Sequence, residues 1–333
     1  MKRIIDVHHH WIPPHHAKDL KRVVLPGQTV REVRPGLTGI FSGRNMLFWC
    51  NEQISSIDRL RINLDRCGIA KAVISASNWL EWLDLPMCRE VNDCMRDLKL
   101  ALPDRVLTLA HVPMGEPGAL DELERAVSLG VSGVYSIVHL PRLGWSLDHP
   151  GLDSFYARVN ALALPIIVHP ACEPLEYVAG APPERQPLSD HDLLTCYGRP
   201  YNTTVSLLRL LLSEVLDRFP RLRFIYPHFG GSFGLMKQRI LSRYYDVGLK
   251  EKLERRLRQI HFDTAPPRWS QAECRCAVET LGAGRIMFGS DHPIGEEYLD
   301  EEVHMVDSDW FSPAEREQIL CGNAQRFFGV SLD

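Results

Sequence analysis

Eight short apolar runs alternate with amphipathic segments along 333 residues, an order that predicts an α/β protein folded as a (β/α)8 barrel. Two further observations support that fold class. The runs are apolar on both phases, as parallel strands buried on two faces should be. Histidines and an aspartate stand just past several of them, where the carboxyl-terminal mouth of a barrel would gather them.

The expected strands are Arg3 to His9, Lys71 to Ser77, Val106 to Val112, Gly133 to Leu140, Pro165 to His169, Arg223 to His228, Ile260 to Thr264 and Arg285 to Ser290. Between them, 3.6-residue periodicity predicts helices over Ser55 to Cys67, Leu120 to Leu129, Leu152 to Leu162, Thr203 to Phe219, Gln271 to Leu281 and Pro313 to Phe328. Gly130 and Pro220 stop helices where the pattern ends. Length alone permits two domains, but barrels of this size commonly form one, so residues 1–333 read as a single domain. Two stretches, at about 11–54 and 172–201, carry prolines, glycines and charge with little periodicity. They read as long loop insertions leaving the mouth, suited to lids or substrate walls.

Composition is ordinary for a globular protein, with 45% hydrophobic and 24% charged residues and a formal net charge of -4. No basic run suggests a nucleic-acid or membrane footprint, and no apolar stretch is long enough to span a bilayer. The nine cysteines lack zinc-ribbon or CxxC spacing, and no signal peptide opens the sequence; a reduced, cytoplasmic setting is expected.

The chemistry begins at His8-His9-His10. Alternation along a strand sends His8 and His10 to one face and His9 to the other, so the pair is half of a metal site. Asp6, on the same phase as the pair, is expected to orient one ring. His169 ends its strand and adds a third nitrogen. Asp291 follows the last strand and adds a carboxylate, giving a three-histidine, one-aspartate set suited to zinc. His292 falls on the opposite phase. His228, followed by Phe229-Gly230-Gly231-Ser232, reads as a fourth ligand or, preferably, a general acid/base. A second metal would need a bridging group, typically a carboxylated lysine ending the fourth strand. None stands there, so one metal is expected. His111 and His139 end the third and fourth strands, facing substrate or packed in the rim.

Taken together, Asp6-Val7-His8-His9-His10, His169-Pro170, His228-Phe229-Gly230-Gly231, Gly289-Ser290-Asp291-His292-Pro293 and Gly322-Asn323-Ala324-Gln325-Arg326 resemble the amidohydrolase superfamily. The resemblance is to the branch holding aminocarboxymuconate-semialdehyde decarboxylase and the resorcylate and dihydroxybenzoate decarboxylases. It implies a distorted (β/α)8 barrel of the metal-dependent hydrolase type, with one divalent ion, zinc or alternatively manganese. His8, His10, His169 and Asp291 match the ligand positions, and His228 matches the catalytic histidine. The resemblance also implies a homodimer in which Arg239 reaches a substrate carboxylate across the interface. Where the aminocarboxymuconate enzyme has a carboxylate-binding arginine, this chain has Asn51; Arg44, in the same insertion, is the candidate substitute.

The leading expectation is non-oxidative decarboxylation of a small unsaturated or aromatic carboxylic acid, with His228 and Asp291 handling the proton and no organic cofactor. The alternatives are hydrolysis of a lactone or amide, or hydration, on the same site. A catalytically silent binding barrel is the reading from another class.

Overall fold

The computed structural model of the chain describes residues 3–23, 27–172, 192–243, 247–265, 269–293 and 299–332. Its strands are β1 (Ile4–His10), β2 (Gln28–Arg34), β3 (Leu37–Ser42), β4 (Asn45–Cys50), β5 (Ile69–Ser75), β6 (Val106–His111) and β7 (Gly133–Ile137). There follow β8 (His139–Leu140), β9 (Trp145–Ser146), β10 (Pro165–His169), β11 (Arg223–Tyr226), β12 (Ile260–Asp263) and β13 (Ile286–Met287). Eight of them form one parallel sheet in the order β1-β5-β6-β7-β10-β11-β12-β13. The sheet closes on itself: Val7 N–H donates to Phe288 O at 2.8 Å, Asp291 N–H to His8 O at 2.8 Å and His10 N–H to His292 O at 2.8 Å. The expected (β/α)8 barrel is therefore the observed one, and closure leaves no exposed edge in it.

The barrel strands are buried because their side chains fill the interior and the layer beneath the helices; Tyr135, Phe224, Tyr226, Phe262 and Phe288 are among the fully buried large residues. The helices start where local chemistry says they should. Ser56 caps Ile57–Arg66 by accepting from Arg59 N–H. Ser270 and Glu273 form a reciprocal capping box at Gln271–Leu281. The helix expected over Thr203 to Phe219 is two pieces, Arg199–Leu212 and Val215–Arg218. Ser213 between them is extended, with ψ 172°.

The first insertion departs from expectation. Rather than an irregular loop, it contains a three-stranded antiparallel sheet, β2-β3-β4, joined by two-residue turns at Pro35-Gly36 and Gly43-Arg44. Apolar periodicity is weak in β2 because most of that strand faces solvent. The buried residues Ile40, Leu47, Phe48 and Cys50 lie in the other two strands. Of the second insertion, residues 173–191 lie outside the described residues. From Leu194 the chain is already helical and runs into Arg199–Leu212.

Candidate metal centre

β1 brings His8 and His10 to the mouth together and turns His9 away, as alternation predicts, but Asp6 falls out of that phase. A bulge between Asp6 and His9 shifts the register against β5, which puts Asp6 in reach of His9. Asp6 Oδ2 lies 2.8 Å from His9 Nδ1, and its oxygens also accept from His8 N–H and from Ser290 N–H and Oγ. Asp6 thus orients His9, away from the site, rather than His8 or His10 as expected. Other residues hold the converging histidines, each through Nδ1. His8 Nδ1 is 2.8 Å from Asp263 Oδ2, His10 Nδ1 is 2.9 Å from Ser75 Oγ, and His169 Nδ1 is 2.9 Å from Pro170 O. A carboxylate and a carbonyl only accept, so His8 and His169 donate from Nδ1 and, when neutral, present an Nε2 lone pair inward; Ser75 Oγ is able to accept the same bond from His10.

Asp291 meets those three nitrogens. Its Oδ1 lies 2.8 Å from His10 Nε2, 3.4 Å from His8 Nε2 and 3.8 Å from His169 Nε2. One ligand atom from each of His8, His10, His169 and Asp291 falls within 4.8 Å of all the others, and all four residues are buried. The aspartate is delivered by the closing segment after β13, at φ 55°, a left-handed conformation that Asp tolerates better than most residues. Gly289, two residues earlier, has no side chain where a Cβ would stand 2.8 Å from His8 Cβ and 2.9 Å from Asp263 Cβ. Only glycine lets this strand end pass so close to the site.

The ionised carboxylates draw positive charge to this group, either a proton on His8 or a metal ion in its place. Burial opposes charge on Asp291, but the imidazoles of His8, His10 and His169 outweigh it and hold the carboxyl well below the usual carboxylate range. Burial likewise opposes charge on His8, yet Asp263 and Asp291 keep its pKa well above 6.5. Burial takes His10 down to about 3 and lowers His169. The Nε2 atoms of His8 and His169 are buried without a hydrogen-bond partner. Three inward imidazole nitrogens and one carboxylate oxygen fit a divalent transition ion, and an ion at their centre would satisfy these orphaned atoms.

His228 stands beside this group. Its ring stacks on His8, with centroids 5.6 Å apart and planes 14° apart, and its Nε2 is 3.7 Å from Asp291 Oδ2. That nitrogen too is buried and unpartnered. The residue ends no strand: β11 stops at Tyr226, and His228 begins a tight turn in which it and Phe229 take φ 57° and 52°. Gly231 completes the turn at φ 67°. A Cβ there would sit 2.2 Å from Pro200 O, so no other residue fits. Burial lowers the His228 pKa to about 4, which leaves the imidazole neutral near pH 7.

Among the described residues a second His/Glu group, His15, His16 and Glu90, has ligand-like spacing. Its chemistry is wrong for an ion. Trp79 Nε1–H donates to His16 Nδ1 at 2.7 Å, so a neutral His16 carries its proton on Nε2, facing Glu90 Oε2 at 3.1 Å. His16 therefore keeps no lone pair for a metal.

The other sequence candidates are scattered. Arg239 is exposed on the helix Phe233–Leu241, and Arg44 is exposed at the β3–β4 turn; neither joins the group of His8, His10, His169 and Asp291. Asn51 caps the turn at Glu52–Ser55 by accepting from Gln53 and Ile54 N–H. His111 Nε2 accepts from Ala76 N–H, and His139 Nδ1 lies 3.1 Å from Asn202 Nδ2. His292 packs on His9 and lies 3.0 Å from Asn63 Nδ2.

Sequence reasoning missed Ser75, Asp263 and the pair Asn78 and Glu81. Ser75 and Asp263 end strands, and strand-end position was the available signal. Asn78 Nδ2 donates to Pro170 O, the carbonyl that holds His169, while Glu81 Oε1 accepts from Asn78 Nδ2 and Cys172 N–H. Burial raises the Glu81 pKa from 4.5 to about 7. The folded chain therefore holds this proton more tightly than the unfolded chain, and stability falls as pH rises from about 4.5 to 7. Glu81→Gln keeps the accepting oxygen without the charge. Its stability relative to wild type is expected to be near equal at pH 4.5 and higher by up to roughly 3 kcal/mol above pH 7, read from urea midpoints at both pH values.

A family model described as Amidohydrolase matches residues 5–330. Gamma-resorcylate decarboxylase from Rhizobium sp. (strain MTP-10005) is 29% identical over 264 residues, covering 73% of this chain and 76% of that protein. Among solved structures, 5-carboxyvanillate decarboxylase from Sphingomonas paucimobilis superposes with TM-score 0.80 at 19% identity, covering 99% of both chains. Dihydroxybenzoic acid decarboxylase from Polaromonas sp. JS666, solved with bound manganese and the inhibitor 2-nitroresorcinol, gives TM-score 0.74 at 21% identity over 99% of this chain and 97% of that one. With its barrel closed around a histidine and aspartate cluster, the chain belongs to the amidohydrolase family.

Proposed function

We propose that this enzyme is a metal-dependent carboxy-lyase that removes CO2, without oxidation, from a small aromatic or unsaturated carboxylic acid. The observation that carries the reading is the orphaned His228 Nε2, 3.7 Å from Asp291 Oδ2 at the edge of a four-ligand group. The decarboxylases to which the chain is similar support the reaction class. The ion proposed for His8, His10, His169 and Asp291 is zinc, with manganese, present in the Polaromonas relative, as the alternative. When bound, such an ion supplies Lewis-acid polarisation and a positive anchor for substrate oxygens.

The chain's own residues would handle the proton. Loss of CO2 from a carboxylate breaks one carbon–carbon bond and forms one carbon–hydrogen bond, so one proton must be delivered to carbon. His228, neutral and desolvated, is the group proposed to take up a proton at Nε2 and pass it on, and ionised Asp291 stabilises the imidazolium while it lasts. The clamped Nδ1 atoms of His8, His10 and His169 keep the surrounding rings from turning.

Substrate recognition is proposed for Arg239 and Arg44, as carboxylate partners. Arg239 shares an exposed stripe with Leu235 (76% exposed) and Met236 (37% exposed) at helical spacing. Such a stripe suits a homodimer in which Arg239 enters the partner's mouth. The nine cysteines form no disulfide among the described residues, which supports a reducing, cytoplasmic setting.

The test is a panel of dihydroxybenzoates, carboxyvanillate, muconate semialdehydes and lactones, assayed in parallel for released CO2 and for ring opening. CO2 from at least one acid supports the proposal. Ring opening of a lactone with no CO2 from any acid would replace it with a hydrolase.

A further inference from the structure

We propose that Asp263 is a positioning residue that sets two things at once, the ion-binding tautomer of His8 and the placement of His228. The proposal rests on the assignment of His8 to the metal and His228 to proton transfer. Asp263 is the last residue of β12 and is fully buried. Its two oxygens are divided: Oδ2 lies 2.8 Å from His8 Nδ1, and Oδ1 accepts from the backbone N–H of His228 at 2.8 Å.

Both halves matter to the site. Accepting Nδ1–H from His8 keeps the lone pair on Nε2, the atom facing Asp291. On the other side, His228 and Phe229 both occupy the left-handed region, which side chains with a Cβ disfavour. That turn is held by Gly230 N–H to Pro227 O, Gly231 N–H to His228 O, Thr204 Oγ1–H to Gly230 O and, at His228 itself, N–H to Asp263. Gly289 leaves the carboxyl its room, since a Cβ there would stand 3.2 Å from Asp263 Cγ. Ser75 and Pro170, which hold His10 and His169, make no hydrogen bond to His228 among the described residues. Asp263 alone among these three supports links a ligand ring to the acid–base group.

A carboxyl group can accept at both oxygens; an amide accepts at one end and donates at the other. In Asp263→Asn, an Nδ2 turned toward His8 would donate to Nδ1 and force the ring proton onto Nε2, blocking the ion. Turned the other way, it would set two donors against each other at His228 N–H. No orientation serves both.

The decisive experiment competes a chromogenic chelator against zinc-loaded wild type and Asp263→Asn, and records the His228 amide resonance and turnover at saturating zinc. The expected result is zinc bound at least tenfold more weakly, or, with the amide in its other orientation, a displaced His228 amide resonance and at least tenfold lower turnover. Wild-type zinc affinity together with an unmoved resonance and full turnover would overturn the proposal. Should the variant fail to fold, amide exchange in wild type replaces it: removing zinc is expected to speed exchange at His228 and Phe229 at least tenfold, and equal rates would contradict the link. A wild-type protein that takes up no zinc or manganese sinks the metal assignment and this proposal with it. Zinc held equally by wild type and variant, with His228 unmoved, sinks the role of Asp263 alone.

Discussion

His228→Ala is expected to retain about one metal ion per chain and to lower kcat by about 10²–10⁴-fold. Metal retention follows from geometry. His228 lies outside the group whose ligand atoms are within 4.8 Å of one another, and its ring stacks on His8 rather than sharing a hydrogen bond with it. The loss of turnover follows because, in the proposed mechanism, Nε2 of His228 hands the proton to carbon. The truncation leaves a small cavity, and the Asp263 bond survives because it goes to the backbone N–H. Metal analysis of the purified variant, beside single-turnover CO2 release, checks both halves. Lost activity with lost metal would instead make His228 a ligand, the reading set aside at the start.

Asp291→Asn is expected to be more damaging, with metal affinity reduced by more than about 100-fold, beyond what loss of a supporting residue costs, and turnover lost in consequence. Asparagine tolerates the left-handed φ of 55° at this position, so the backbone has no reason to rearrange. What disappears is the one carboxylate shared by His8, His10 and His169, and with it the negative charge that favours a cation there. The same change should show in stability. An ion present at 100 times its Kd stabilises the fold by about 2.7 kcal/mol, so chelation should lower the melting temperature of wild type and leave that of Asp291→Asn unchanged. A variant that binds the ion as tightly as wild type would remove Asp291 from the site.

The barrel was legible because its signal is collective: eight apolar runs, each ending in or near a polar residue, need no single boundary to be right. Pro165–His169 is found as expected, because proline and the terminal histidine bracket it. Asp6 shows what alternation cannot reveal. A bulge is a property of pairing between β1 and β5, so its shift of Asp6 toward His9 has no trace in β1 alone. The β2-β3-β4 sheet was hidden for a different reason, since a mostly exposed strand carries no apolar pattern. Asp263 and Ser75 offer only their strand-end positions in the sequence; which rings they hold shows once the fold sets them against His8 and His10 from 255 and 65 residues away.

Anomalous diffraction from a crystal of the zinc-loaded protein tests the central claim most directly. The account predicts one zinc peak per chain, about 2.0–2.2 Å from Nε2 of His8, His10 and His169 and from a carboxylate oxygen of Asp291. A zinc peak elsewhere, for instance between His15, His16 and Glu90, or none at all, would contradict it.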